Sequence, residues 1–171
     1  MATKHIKYLA KIFTEHYPSK KFGKTPLVKL LYLAQELQGI DLGYDFDLYT
    51  FGPFDSTILY ELDRLDEKNE VDVEPAKDGW GYDIKLLTNK IEPVETGEKA
   101  ALTAIVKEYG SFTAKRLEIL ATLLYFNRGG ISKDKELVSS VKGIKPKYTE
   151  EEIQVELDIL KKQRLIKFSP S

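Results

Sequence analysis

The sequence predicts an α+β fold that is mainly helical, with a small antiparallel β-sheet. In residues 1–90, three stretches with helical periodicity precede two alternating runs that are joined by a Gly-containing turn. Helix, helix, helix and hairpin is the element order of a winged helix, and residues 91–171 repeat that order more loosely. We therefore predict two packed winged-helix-like units, with a boundary near residue 90.

The first two helices are predicted over residues 4–17 and 26–38. The second is apolar in nearly every direction around its axis, so it should be buried as the central helix of the core. Thr25 is the expected N-cap with Pro26 at the first helical position, and Gly39 is the expected stop.

An aromatic strand is predicted over residues 46–51, and Gly52-Pro53 should end it because proline donates no ladder hydrogen bond. Asp55 can then cap a third helix over residues 55–68. Two further strands, at 71–73 and 82–86, form the expected hairpin. We expect strand 46–51 to join that hairpin as its third strand.

The second half begins with predicted helices over residues 93–109, 113–128 and 133–142. A Thr149-to-Glu152 capping box opens a further helix. Residues 165–168 are apolar enough to add a terminal strand.

Composition limits the classes of function. The net charge is −1, divided into −3 over residues 1–90 and +2 over 91–171, and neither half has the excess positive charge typical of tight phosphate binding. The absence of cysteine excludes disulfides, thiolate metal sites and cysteine nucleophiles. Without an apolar signal region or a membrane-length apolar run, we expect a soluble cytoplasmic protein with no membrane partner.

The sequence predicts no catalytic, cofactor-binding or metal-binding residue. His5 and His16 are the only histidines, and on one helix they would lie roughly 16 Å apart, too far to share a metal ion. We expect both to be partly exposed. Gly79-Trp80-Gly81 supplies half of a dinucleotide fingerprint between two strands, which favours a turn. We therefore predict that the protein is not an enzyme and has no cofactor.

Nucleic-acid binding is the alternative function. The predicted helix 55–68 is acidic and would repel phosphates, so DNA contacts would have to come from the second unit. Its candidate phosphate contacts are Lys142, Lys145, Lys147, Lys161, Lys162, Arg164 and Lys167.

Aromatic residues are concentrated in residues 44–60. Core packing explains alternating aromatic residues in a strand, whereas a contact patch would also be rich in tyrosine and phenylalanine. Gly52 and Pro53 are interpreted as a structural turn. The candidate partner-binding residues are Tyr49, Phe51, Phe54, Tyr60 and Trp80.

The first unit contains two motifs: Lys24-x-x-Leu27-x-Lys29-Leu-Leu-Tyr-Leu-Ala-Gln, and Tyr49-x-Phe51-Gly-Pro-Phe before a helix. Together they resemble the Panacea family, which includes SocA-like antitoxins, phage-associated GepA proteins and YwgA-like relatives. The resemblance implies a non-enzymatic domain that neutralises a toxin, often beside a DNA-binding region. We therefore predict an antitoxin-type or phage-associated interaction module that binds a partner protein through the N-terminal unit. The sequence makes no prediction of oligomeric state.

Overall fold

The computed structural model describes residues 3–77 and 81–167. In these ranges the chain forms α1 (Thr3–His16), β1 (Phe22–Gly23), α2 (Lys24–Gln38), β2 (Asp47–Tyr49), β3 (Gly52–Phe54), α3 (Ser56–Glu67), β4 (Val71–Pro75), β5 (Tyr82–Leu86), α4 (Thr96–Tyr109), α5 (Ala114–Arg128), α6 (Asp134–Ile144) and α7 (Glu150–Lys162). The mainly helical fold with small antiparallel β-structure is thus confirmed. The winged-helix packing of each half stays a prediction.

The strands differ from the prediction in their number and their pairing. β1 and β3 were not predicted, and Gly52-Pro53, predicted as the turn that ends a strand, lies within β3 instead, because the chain turns two residues earlier. The β4–β5 hairpin takes β1 as its third strand, in the order β1-β5-β4, whereas β2 pairs with β3 in a separate two-stranded sheet. The reason is local: the turn brings Gly52 opposite Tyr49, so the chain that follows β2 becomes its partner. β1 is short, and buried Phe22 packs its ring 4.6 Å from that of Phe13.

α2 is the predicted central helix, and every residue from Leu27 to Ala34 is buried. It begins earlier than expected, because Gly23 is the N-cap in place of Thr25. Gly23 is paired with Asp83 of β5, so the chain passes directly from strand to helix. At the other end Gly39 adopts a left-handed conformation with φ of 63°, which confirms the predicted stop.

Other predicted caps are confirmed. Asp55 accepts a hydrogen bond from the Thr57 backbone N–H at 2.9 Å, and Thr149 and Glu152 form the capping box of α7. The predicted terminal strand is wrong for residues 165–167, which form no strand; Phe168 lies outside the described residues.

The hydrophobic core is one cluster that includes side chains from both halves of the chain. α2 packs on α4 and α5, and α1 packs on α4. Buried Lys7 of α1 donates to the Glu92 carboxylate at 2.7 Å and to the Lys90 carbonyl at 3.2 Å, which fixes the connection between the halves. The segment near residue 90, where a boundary between two units was predicted, is held against α1.

His5 corrects the expectation that both histidines are partly exposed. It is buried, and its Nε2 lies 2.7 Å from the Glu98 carboxylate of α4. None of the helices in the described part of the chain has the length and apolar character needed to cross a bilayer.

Candidate functional site

The β2–β3 hairpin presents a tight turn at residues 50–51, which we call the tip. Asp47 pairs with Phe54 and Tyr49 with Gly52, so Thr50 and Phe51 form the turn itself. Gly52 has φ of +92°, a conformation that residues with a Cβ rarely adopt. A Cβ at this position would lie 2.4 Å from Thr122 Oγ1 of α5, so the tip also requires the close approach that glycine allows.

Two large aromatic side chains project from this hairpin. Phe51 is 61% exposed and Tyr49 is 52% exposed. Phe54 is half-buried and supports Tyr49 edge-on, with ring centroids 5.2 Å apart. On α3, Tyr60 is 57% exposed, with the Arg64 guanidinium 6.0 Å from its ring centroid.

The remaining aromatic residues of the segment belong to the core. Tyr44 is buried and donates its hydroxyl hydrogen bond to the Glu61 carboxylate at 3.0 Å. Phe46 packs edge-on against Tyr32 of α2 at 5.1 Å. The core interpretation therefore applies to part of the segment, and Tyr49, Phe51 and Tyr60 are the exposed part. The fifth candidate, Trp80, lies outside the described residues.

Two buried lysines hold the backbone on either side of Phe51. Lys29 of α2 donates to the Pro53 carbonyl at 2.7 Å, and Lys145, at the end of α6, donates to the Thr50 carbonyl at 2.7 Å. Each lysine is 2% exposed. The Lys145 ammonium also lies 5.2 Å from the Phe51 ring centroid. The backbone on either side of Phe51 is therefore hydrogen-bonded to α2 and to the end of α6, whereas the Phe51 side chain is exposed.

Glu118 of α5 supplies negative charge beneath the tip. Its buried carboxylate accepts from the Lys145 ammonium at 3.2 Å and from the Tyr148 hydroxyl at 2.7 Å. Thr122, one turn along α5, donates to the Glu118 carbonyl at 2.7 Å. We call Lys29, Glu118, Lys145 and Tyr148 the clamp.

Burial dominates the protonation energetics of the clamp. It lowers the pKa of Lys29 to about 8, although the Glu118 charge opposes the shift and the Lys145 charge adds to it. Burial likewise lowers the pKa of Lys145, against the opposing charge and hydrogen bond of Glu118. The pKa of Tyr148 is raised by burial and by its hydrogen bond to Glu118. Burial thus disfavours the charged forms of both lysines, and the Glu118 carboxylate opposes that effect.

The chain around the exposed aromatic residues is strongly acidic. Residues 41–67 contain eight carboxylates and a single arginine. Glu61 is buried, whereas Asp45, Asp47, Asp63 and Glu67 are exposed. This segment would repel phosphate groups and attract a basic surface.

The structure divides the candidate DNA contacts. Lys145 does not fit a phosphate contact. Its ammonium donates to the Thr50 carbonyl and to the Glu118 carboxylate, and it has almost no exposed surface. Lys142 donates to the Pro146 and Tyr148 carbonyls, both at 2.7 Å, and Lys161 pairs with Asp134 at 2.6 Å. The other four candidates are exposed: Lys147, Lys162, Arg164 and Lys167.

The clamp was not predicted as a unit, although signals for parts of it exist. Lys29 is a charged residue on a helix that is apolar in almost every direction around its axis. A charge at such a position indicates a buried hydrogen-bond partner. Glu118 and Thr122 are spaced four residues apart on the apolar helix α5, so they lie on one face. Among the described residues, no group of three or more metal-ligating side chains could hold a metal ion.

The geometry defines a class of protein: a mainly helical α+β domain that presents a clamped aromatic hairpin. No family model matches the chain. The chain is similar to the uncharacterized protein YwgA of Bacillus subtilis (strain 168), with 24% identity over 176 residues, 97% of this chain and 99% of that protein. The similarity extends across both halves of the fold.

Proposed function

We propose that the protein is a non-enzymatic interaction module that binds a partner protein through the tip of the β2–β3 hairpin. One observation is the basis of this proposal: Phe51 and Tyr49 are more than half exposed on a backbone that two buried lysines hold in place. Rigid aromatic side chains lose little conformational entropy on binding and are typical of energetically dominant contacts.

The negative charge around the tip indicates what kind of partner surface would bind there. Because residues 41–67 contain eight carboxylates and one arginine, we expect the partner to present lysines or arginines around an apolar pocket. Phe51 would fill the pocket, and the exposed aspartates would pair with the basic rim. A nucleic acid does not fit this face.

The resemblance of both motifs to the Panacea family supports an antitoxin-type or phage-associated role. In that role the partner would be a toxin, and binding would suppress its activity. The similarity to YwgA suggests no particular activity for this chain, since that protein is uncharacterized.

The experiment is affinity capture from the native host, followed by a titration with each purified captured protein. A supporting partner has a basic surface, binds less tightly as salt rises, and loses affinity by roughly 30-fold or more with Phe51→Ala, as expected for a dominant aromatic contact. Co-expression then tests whether the partner arrests growth and whether this chain relieves the arrest.

The matched control is Val155→Ala, which shortens an exposed apolar side chain on α7. It should bind as the unmodified chain does. A partner whose affinity is unchanged by Phe51→Ala and by Tyr49→Ala, or one with an acidic binding surface, would contradict the proposal.

A DNA-binding regulator is the second candidate. It is supported by the four exposed cations Lys147, Lys162, Arg164 and Lys167 near the end of the described chain. Binding to genomic fragments should weaken steeply with salt, and replacing Lys162 and Arg164 with alanine should reduce the slope by about one unit for each lost phosphate contact. Absence of binding at roughly 50 mM salt would remove this candidate.

A further inference from the structure

The tip is held by residues that are remote from it along the chain. The bond from Lys29 to the Pro53 carbonyl joins residues 24 positions apart, and the bond from Lys145 to the Thr50 carbonyl joins residues 95 positions apart. Thr50 lies in the exposed turn, whereas the Pro53 carbonyl is buried and would lack a donor without Lys29. The two bonds therefore decide where the backbone of Phe51 lies.

The balance of charge in the clamp depends on one side chain. Two ammonium groups lie in the buried region, and Glu118 is the carboxylate that interacts with both, by direct contact with Lys145 and through space with Lys29. Without its charge, two like charges would face each other in a medium that solvates them poorly. One ammonium would then lose its proton or turn to solvent, which weakens or breaks its bond to the tip.

We propose that Glu118 is the positioning residue of the tip: it holds Lys145 in place by direct contact, balances the charge of the two lysines, and through them sets the conformation of residues 50–53. Glu118 itself contacts no exposed aromatic side chain. Its relevance to partner binding rests on the proposed function, but its effect on the tip is a property of the free chain.

The test is limited proteolysis of the full free chain with chymotrypsin, with cleavage after Tyr49 and Phe51 followed by mass spectrometry. Glu118→Gln keeps the size of the side chain and removes its charge. We expect cleavage at the tip to accelerate by about tenfold or more, since cleavage reports local opening of the hairpin. Circular dichroism should show that the helices are retained.

The matched control is Glu156→Gln on α7. Glu156 is also a buried glutamate, and it accepts two hydrogen bonds from Arg116, at 2.6 and 3.3 Å, away from the tip. This variant should lower the melting temperature without accelerating cleavage after Phe51. Equal acceleration in both variants, in step with their melting temperatures, would overturn the proposal.

A second variant covers the case in which Glu118→Gln does not fold. Lys145→Met removes one ammonium and leaves Lys29 balanced by Glu118, so it should fold while the Thr50 carbonyl loses its donor. Cleavage after Phe51 should again accelerate. A folded Lys145→Met protein whose tip is cleaved at the unmodified rate would overturn the proposal regardless of the first variant.

Because these measurements need no partner, they separate the two proposals. Faster cleavage at the tip, together with a partner affinity that Phe51→Ala leaves unchanged, would refute the proposed function and support the positioning role. Unchanged cleavage together with Phe51-dependent binding would refute the positioning role alone.

Discussion

Gly52 meets two requirements that no other residue type meets together. Its φ is positive, and a Cβ would overlap Thr122 Oγ1. Thr122 cannot turn away without breaking its hydrogen bond to the Glu118 carbonyl. Gly52-Pro53, predicted from sequence as a structural turn, lies in β3 directly after the turn, and Gly52 there allows the close packing of the hairpin on α5.

Gly52→Ala should destabilise the protein more than Gly43→Ala does. Gly43 has a similar positive φ, +87°, but open space around its Cβ position. Both variants lose about 1–3 kcal/mol from backbone strain. Gly52→Ala should lose about 1–3 kcal/mol more from overlap with Thr122. Chemical denaturation measures both, and equal losses would show that the close approach to α5 is unimportant.

Lys29 should make stability increase with pH. Its pKa is lowered by burial from the usual 10.5 to about 8, so above pH 8 the folded chain binds fewer protons than the unfolded chain. The free energy of unfolding should consequently rise by about 1 kcal/mol between pH 8 and 9, a window that lies below the pKa of about 10 of ordinary tyrosines. Denaturant titrations across this window should show the rise.

Lys29→Met should abolish most of that rise, whereas Lys11→Met, at an exposed lysine of α1, should leave it intact. If Lys29→Met has the same pH dependence as the unmodified chain, then Lys29 is not the group that releases the proton.

At the scale of elements, helices were predicted well and strand partners were not. Apolar periodicity and caps such as Asp55 and Thr149 are local, so the sequence contains the information. The partner of β2 depends on how tightly the chain turns at Gly52, and the third strand of the other sheet, β1, has only two residues. The clamp joins α2, α5 and the connection between α6 and α7, so no local pattern predicts it as a unit.

The Asp55 side chain accepts hydrogen bonds from α3 and from the loop before β2. Its replacement should therefore destabilise the protein more than the loss of an ordinary cap does. One carboxylate oxygen caps α3 through Thr57, and the other accepts from the Asp45 backbone N–H at 2.8 Å. Asp55→Ala should lower stability by about 2 kcal/mol, compared with about 1 kcal/mol for Thr113→Ala, which removes a single capping bond of α5.

Asp55→Asn is the informative control, because its amide has one oxygen and can keep only one of the two bonds. Thermal unfolding should place it between the unmodified chain and Asp55→Ala. An alanine variant no less stable than Thr113→Ala would show that the bond to Asp45 contributes nothing.

At the scale of the whole molecule, the continuous core predicts cooperative unfolding. Leu33 of α2 and Leu120 of α5 belong to the same buried cluster, and Lys7 fixes the connection between the halves. Calorimetry should show one transition whose calorimetric and van't Hoff enthalpies agree. Two transitions, or a stable folded fragment after cleavage within residues 89–95, would indicate two independent domains.

The distance along the chain between the tip and Lys145 has a consequence for synthesis. Chains emerge from the ribosome N-terminus first, and the bond to the Thr50 carbonyl cannot form until residue 145 has been made. The aromatic hairpin is thus translated early but acquires its second backbone anchor late. A growing chain that ends before α6 would display Phe51 on a loop without that anchor, so the exposed aromatic tip reaches its final conformation only near the end of translation.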